Sequence, residues 1–205
     1  ALIAGGVVSG GGAACNPAKV EPGPVCVVFG AGGVGLSTIQ GCSHAGATMI
    51  VAVDMLASKL EMARLFGATH VVDASTSENL VKDLRKLTGR GADYAFECVG
   101  RGEIVAQAYA ALRKGGTAVV VGAASTKDTT VLRTASFAFE EKTLKGCFYG
   151  SARPHHDFPR LVALYQAGRL KLDELITRRY RIEEAPQAFD DLAKGRNARG
   201  VIVFD

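Results

Sequence analysis

The feature that most constrains this chain is a glycine-rich turn set between a strand and a helix. A β-branched run, Val25 to Phe29, leads directly into Gly30-Ala31-Gly32-Gly33-Val34-Gly35, and a helical pattern follows at once. In that setting a Gly-x-Gly-x-x-Gly spacing has a physical meaning. Gly30 allows a tight turn, Gly32 lets a pyrophosphate approach the backbone, and Gly35 lets the helix pack on the strand. The helix N-terminus adds unpaired N–H groups and a partial positive charge. A second strand then ends at Asp54, at the roughly 20-residue spacing such folds use for an acid beside the ribose. A carboxylate there accepts hydrogen bonds from ribose hydroxyls and repels a 2′-phosphate, which favours NAD over NADP. Glycines in an ordinary turn and an Asp capping the next helix are the plainer alternative. The order strand, loop, helix, strand, acid favours dinucleotide binding. The fingerprint alone also suits a methyltransferase that binds its adenosyl cofactor through a similar first loop.

The rest of the chain supplies the sheet around that turn. Strands are predicted at Val25 to Phe29, Met49 to Val53, His70 to Val72, Tyr94 to Glu97, Thr117 to Val121 and Thr143 to Tyr149. Helical periodicity falls between them, at Val34 to Ala45, Leu56 to Phe66 and Glu78 to Leu87. Gly46, Gly67 and Gly89 stand just past these helices, where a C-terminal cap needs positive φ. Alternation of this kind predicts an α/β fold, a doubly wound six-stranded parallel sheet of Rossmann type. After Gly150 the alternation stops. A polar turn SARPHHD, a helix around Phe158 to Gln166, an acidic-capped segment Glu183 to Ala193 and a last strand Val201 to Phe204 are expected. The organisation read from this is a lead-in over 1–20, a dinucleotide-binding domain over 21–150 and a C-terminal segment over 151–205.

Composition narrows the function classes. Apolar residues make up 48% and charged residues 21% of 205 residues, a globular balance. Twenty-four Lys and Arg against 20 Asp and Glu give +4, spread without a run of like charge, so nothing demands a nucleic acid. No apolar run reaches the length of a membrane span. The five cysteines form no Cys-x-x-Cys pair, and a reducing, cytoplasmic compartment is the default expectation. The opening ALIAGGVVSGGGAAC starts with Ala and lacks a secretory signal pattern, so it reads as the continuation of something upstream.

Five ordered blocks then match one family. They are SGGGAACNPAKVEPGPVCVVFGAGGVGLSTIQGCSHAGA, VAVDMLASKLEMARLFGATHVVD, GADYAFECVGR, GGTAVVVGAAS, and the closing KGCFYG and NARGVIVF. Over nearly its full length the chain resembles the zinc-type alcohol dehydrogenases of the medium-chain dehydrogenase/reductase superfamily. In that family this segment is the cofactor domain plus the last stretch of a GroES-like catalytic domain, whose larger N-terminal part is absent here. The resemblance implies an oxidoreductase that transfers hydride between an alcohol or aldehyde and NAD. It implies that Gly30, Gly32, Gly33 and Gly35 form the phosphate loop and that Val34 packs against the nicotinamide. Asp54 and Lys59 would lie at the ribose, and Val99 and Arg101 would border the adenosine. Val121, Ala123 and Tyr149 would hold the carboxamide through their backbones. Arg199 would pair with the pyrophosphate, and Ser9 would lie against the nicotinamide where the family has a Thr. It also implies a homodimer joined edge to edge through the sixth strand. Without the resemblance, Lys59, Arg101 and Arg199 read as solvated surface charges and Val121 as plain core.

One position departs from the pattern. The family's third catalytic zinc ligand is a cysteine, and the register places Gly5 there. No Cys, His, Asp or Glu occurs from Ala1 to Gly12, so no metal ligand is expected in this chain, although the family uses zinc. The spacings of the five cysteines suit no structural zinc knuckle either. His155, His156 and Asp157, between Pro154 and Pro159, read as a surface turn and not a metal site. His44 and His70 read as structural, and Glu140 with Glu141 as charges that blunt an exposed strand edge. Two other functions stay open: a non-catalytic NAD-binding module, and a zinc-free enone or quinone reductase. Gly5 favours the reductase, and Asp54 disfavours it because those enzymes commonly use NADPH.

Overall fold

A computed structural model describes residues 2–204. Six strands, β1 (Val25–Phe29), β2 (Met49–Asp54), β3 (His70–Asp73), β4 (Ala92–Glu97), β5 (Leu112–Val120) and β6 (Thr143–Gly146), form one sheet. Their order is β3-β2-β1-β4-β5-β6, and every neighbouring pair is parallel. A parallel sheet needs a crossover after each strand. These are α2 (Gly33–His44), α3 (Ala57–Leu65), α4 (Leu80–Leu87), α5 (Gly102–Ala111) and α6 (Thr134–Glu140), preceded by α1 (Val8–Cys15). The predicted doubly wound sheet is therefore present, and the strand order reverses between β1 and β4. In such sheets that reversal opens a crevice at the carboxyl ends of the strands.

The apolar strands are buried on both faces. Cys26 and Val28 of β1 with Ile50 and Ala52 of β2 join one core, and Val27, Phe29, Val51 and Val53 join the other. The first core also takes Val7, Ala13 and Ala14 from the lead-in and Leu170, Leu172, Leu175 and Ala198 from the tail. Lead-in and tail are thus packed into the same core as the sheet. Gly46, Gly67 and Gly89 have φ of +88°, +108° and +75°, as helix-capping glycines require.

The structure departs from expectation in three places, the first two of them in the tail. Pro154 to Asp157 is not a turn but the start of α7 (Pro154–Gln166). Pro154 occupies the first position, where its missing N–H would have had no partner in any case, and the Asp157 carboxylate accepts the Arg153 N–H at 2.8 Å. A strand absent from the sequence reading, β7 (Ile176–Arg181), pairs in parallel with β8 (Arg199–Val203), with α8 (Ala185–Ala193) between them. The run ITRRYR hides this strand, because four of its six residues are exposed. The sixth strand of the large sheet also stops earlier than predicted. Cys147 N–H still bonds to Val120 O at 2.8 Å, and the chain then turns through Tyr149, Gly150 and Ser151 with φ of +53°, +69° and +46°. Just before β6, the Glu140 carboxylate lies 2.6 Å from the ammonium of Lys142, whose side chain is buried.

Candidate functional site

A cleft of about 990 Å³ opens where β1, β2 and β4 end. Its walls carry Gly30 and Gly32 from the glycine turn, Asp54 from the end of β2, Lys59 from α3, and Val99 and Arg101 from the loop after β4. Six of the residues singled out in the sequence are therefore brought together. It is also lined by Ala193 to Gly195 of the tail, at the end of the acidic-capped segment, to which the sequence reading assigned no role in the site.

Each of these groups has a local reason for its position. Gly30 has φ of +89°, a conformation that a side chain strongly disfavours. A Cβ at Gly35 would lie 1.7 Å from the Gly30 carbonyl oxygen, so α2 can approach β1 only with glycine there. The Asp54 carboxylate is held by three backbone donors: Ala31 N–H at 2.8 Å to one oxygen, and Met55 N–H at 2.8 Å and Leu56 N–H at 3.1 Å to the other. It thereby locks the glycine turn to the end of β2. Arg101 pairs with Glu103 at 3.3 Å, whereas Lys59 has no acidic partner among the described residues.

Arg199 comes from β8 and lies across the N-terminus of α2. A Cβ at Gly33 would meet its Nε at 2.5 Å, and one at Gly6 would overlap the guanidinium. No carboxylate pairs with it among the described residues, and burial lowers its pKa from the ordinary arginine value. A guanidinium remains charged under such desolvation. The result is a half-buried, unpaired cation beside the unpaired N–H groups that start a helix.

The remaining positions fall in two groups, one around α1 and one in the loop after β5. A Cβ at Gly10, next to Ser9, would lie 2.2 Å from the Val34 carbonyl oxygen, so the two helices touch backbone to backbone there. The Tyr149 hydroxyl donates to Ala4 O at 2.6 Å, and Asn16 Nδ2 donates to Gly150 O at 2.9 Å, pinning the left-handed turn to the lead-in. Val121 and Ala123 follow β5. Val121 N–H bonds to Glu97 O at 2.8 Å, and Ala123 backs directly onto Gly100.

Glu97 itself escaped the sequence reading. Fully buried at the end of β4, it accepts Val99 N–H at 2.7 Å and Gly100 N–H at 2.6 Å on one oxygen, while the other oxygen has no partner. An acid closing an apolar strand was the available signal, since a buried carboxylate needs donors close by. Of the histidines, His44 bonds to the Arg169 carbonyl and His70 to Thr69 Oγ1.

Residues 33–167 match the family described as "Zinc-binding dehydrogenase". The chain belongs to that family. It is 43% identical over 205 residues to the NDMA-dependent alcohol dehydrogenase of Amycolatopsis methanolica, covering 98% of this chain and 55% of that protein. The solved benzyl alcohol dehydrogenase of Acinetobacter calcoaceticus superposes with a TM-score of 0.93 at 36% identity, over 98% of this chain and 55% of that one. An alcohol dehydrogenase zinc-binding domain protein of Burkholderia ambifaria gives 0.93 at 34%, over 98% and 54%. This zinc-binding dehydrogenase chain thus spans about half the length of the relatives it matches.

The family name raises the question of metal. No three His, Cys, Asp or Glu side chains come together as a metal site among the described residues. Gly5, at the position the resemblance gives to a zinc ligand, offers no donor atom, and nothing lies within 4 Å of where its Cβ would be. His156 is engaged with Asp157 at 3.1 Å on α7. The residues present do not fit a zinc site.

Proposed function

We propose that this chain is the NAD-binding half of an alcohol dehydrogenase-type oxidoreductase acting on a small alcohol or aldehyde. The observation that carries the reading is the unpaired Arg199 guanidinium lying against Gly33 where α2 begins. A cation left without an acid beside a helix N-terminus and a glycine turn is complementary to a pyrophosphate. In this reading Gly30, Gly32, Gly33 and Gly35 shape the loop around the phosphates, and Asp54 and Lys59 hold the adenosine ribose. Val99 and Arg101 flank the adenosine. Val34 and Ser9 border the nicotinamide, and Val121, Ala123 and Tyr149 present backbone groups to its carboxamide. NAD, when bound, supplies the hydride acceptor. The chain's own part is to fix the ring's orientation and exclude water from its buried face.

NAD is proposed over NADP because a 2′-phosphate would bring its charge against Asp54, with Lys59 as the unpaired cation that lines the same cleft among the described residues. Calorimetric titration of the purified chain with both cofactors tests this: NAD should bind at least tenfold more tightly, and equal or tighter NADP binding refutes it. A zinc-free enone or quinone reductase is the second reading, favoured by Gly5 and opposed by Asp54. A non-catalytic NAD-binding module is the third. Activity of the natural full-length protein on alcohols with added chelator separates the three. The five free cysteines fit a reducing, cytoplasmic setting. Among the described residues, no helix is long and apolar enough to cross a membrane.

Homodimerisation through the outer edge of β6 belongs to the same proposal. β6 ends the sheet order with its outer side unpaired, and Phe139 and Phe148 beside it are 81% and 93% exposed. An uncovered edge with apolar neighbours is a site for pairing. Sedimentation at several concentrations should show a dimer that Phe148→Glu weakens. A strict monomer removes this part of the proposal.

A further inference from the structure

The tail contains a buried carboxylate whose placement the cofactor reading does not explain. Asp191, on α8, is 1% exposed and accepts four hydrogen bonds: from Tyr180 Oη at 2.7 Å, Arg178 Nη1 at 2.8 Å, Gln187 Nε2 at 2.8 Å and Arg196 Nη1 at 3.0 Å. Charged acceptors with this many donors form the stronger class of hydrogen bonds. They also cost most when one partner is removed.

Two consequences converge on Arg199. The first is geometric. The Tyr180 hydroxyl that donates to Asp191 accepts from Asn197 Nδ2 at 2.8 Å, and a Cβ at Gly200 would lie 2.7 Å from the Tyr180 ring. Residues on both sides of Arg199 therefore rest on a tyrosine that Asp191 fixes. The second is electrostatic. Asp191 takes up Arg178 and Arg196, and Arg181 pairs with Glu183, so of the five arginines from β7 to β8 only Arg179 and Arg199 are left without an acid among the described residues. Arg179 is exposed, whereas Arg199 is half-buried and lies over the glycine turn.

We infer that Asp191 is a positioning residue for the cofactor pyrophosphate, acting through Tyr180 and Asn197 to aim Arg199 at the start of α2 and to keep neighbouring charges from competing with it. The inference rests on the proposed dinucleotide reading of the cleft. It assigns to the tail a share of cofactor affinity that is specific to the phosphates and absent for the nucleoside.

The experiment compares NAD, ADP-ribose and adenosine on the whole chain by calorimetry. Asp191→Asn keeps the size of the side chain and removes the charge. It should weaken NAD and ADP-ribose about tenfold and leave adenosine unchanged. Arg199→Ala should lose at least as much on the same two ligands, and the double variant should lose no more than Arg199→Ala alone. Tyr180→Phe, which leaves the other three donors on Asp191, should give a smaller loss with the same ligand pattern. Should Asp191→Asn fail to fold, Tyr180→Phe decides. Equal weakening of adenosine, additive losses, or full NAD affinity in Tyr180→Phe overturns the inference while leaving the cofactor reading intact. A wild-type chain that binds none of the three ligands overturns the cofactor reading, and this inference with it.

Discussion

The sheet and the tail of this molecule are built by different forces. In the sheet, β1, β2 and β4 are buried on both faces by aliphatic side chains, and the glycines allow backbone to touch backbone, as where Gly35 meets Gly30. In the tail, β7 shows four exposed residues of six, and its order comes from one acid gathering two arginines, a tyrosine and a glutamine. The sheet shapes the cleft, while the tail places a cation over the N-terminus of α2. A site assembled this way draws its shape from hydrophobic burial and its charge from a polar network. The two should fail under different perturbations.

The largest expected difference comes from adding one methyl group. Gly35→Ala forces a Cβ to within 1.7 Å of a backbone oxygen, so the glycine turn or α2 has to move. Overpacking of that kind costs about 1–3 kcal/mol or more, and the displaced turn should reduce NAD affinity by about 100-fold or beyond. The tail counterpart, Gly168→Ala, meets nothing within 4 Å and carries only the strain of φ +68°. That is worth about 1–2 kcal/mol, with no change in NAD affinity. Thermal unfolding together with NAD titration of both variants checks the contrast. Equal effects on binding would mean that the glycine turn is not where the cofactor sits.

How much was legible follows the same division. The parallel sheet, the helix caps at Gly46, Gly67 and Gly89, and the meeting of the glycine turn with Asp54 could be read from apolar period and glycine placement. These signals are local or repeat along the chain. Lys59 and Val99 were reached only through the family resemblance. β7 could not be read, because a strand carrying Arg178, Arg179 and Arg181 shows no apolar alternation and exists through its pairing with β8. The first turn of α7 was misread because two prolines look like breakers until one is seen at a helix start. Asp191 and Glu97 were missed for other reasons: Asp191 draws Tyr180, Arg178 and Arg196 from outside its own helix, and Glu97, although it closes an apolar strand, finds its donors in a loop whose course the sequence does not give.

Asp54 sits at the join between the regions, holding the glycine turn from one side while Lys59 reaches the tail at Gly195 from the other. Asp54→Ala should narrow the NAD preference over NADP about tenfold, roughly 1.4 kcal/mol. It should also weaken NAD itself, since Ala31 N–H loses its acceptor. Titration with both cofactors measures each effect. An unchanged ratio would show that the carboxylate serves the turn alone.

The smallest effect is acid sensitivity centred on the tail. The Tyr180 hydroxyl first, then Arg196, Gln187 and Arg178, hold the Asp191 carboxyl at about 2, below the ordinary aspartate range near 4. A depressed folded-state pKa means that the carboxylate's contribution is fully present above about pH 4 and is lost as pH falls from there toward 2. In the sheet, Asp93 near the start of β4 is also held below the ordinary range, where the cost of its burial is outweighed by the Val25 N–H and Arg113, but the apolar clusters that flank β1 and β2 contain no carboxylate. Amide exchange measured across that window should therefore speed up in β7 and β8 before it does in β1 and β2, and Asp191→Asn should remove the difference. Simultaneous loss of protection in both regions would show that the polar network and the hydrophobic core melt as one unit. The packing of Leu172, Leu175 and Ala198 into the sheet's own core is the feature that would make them do so.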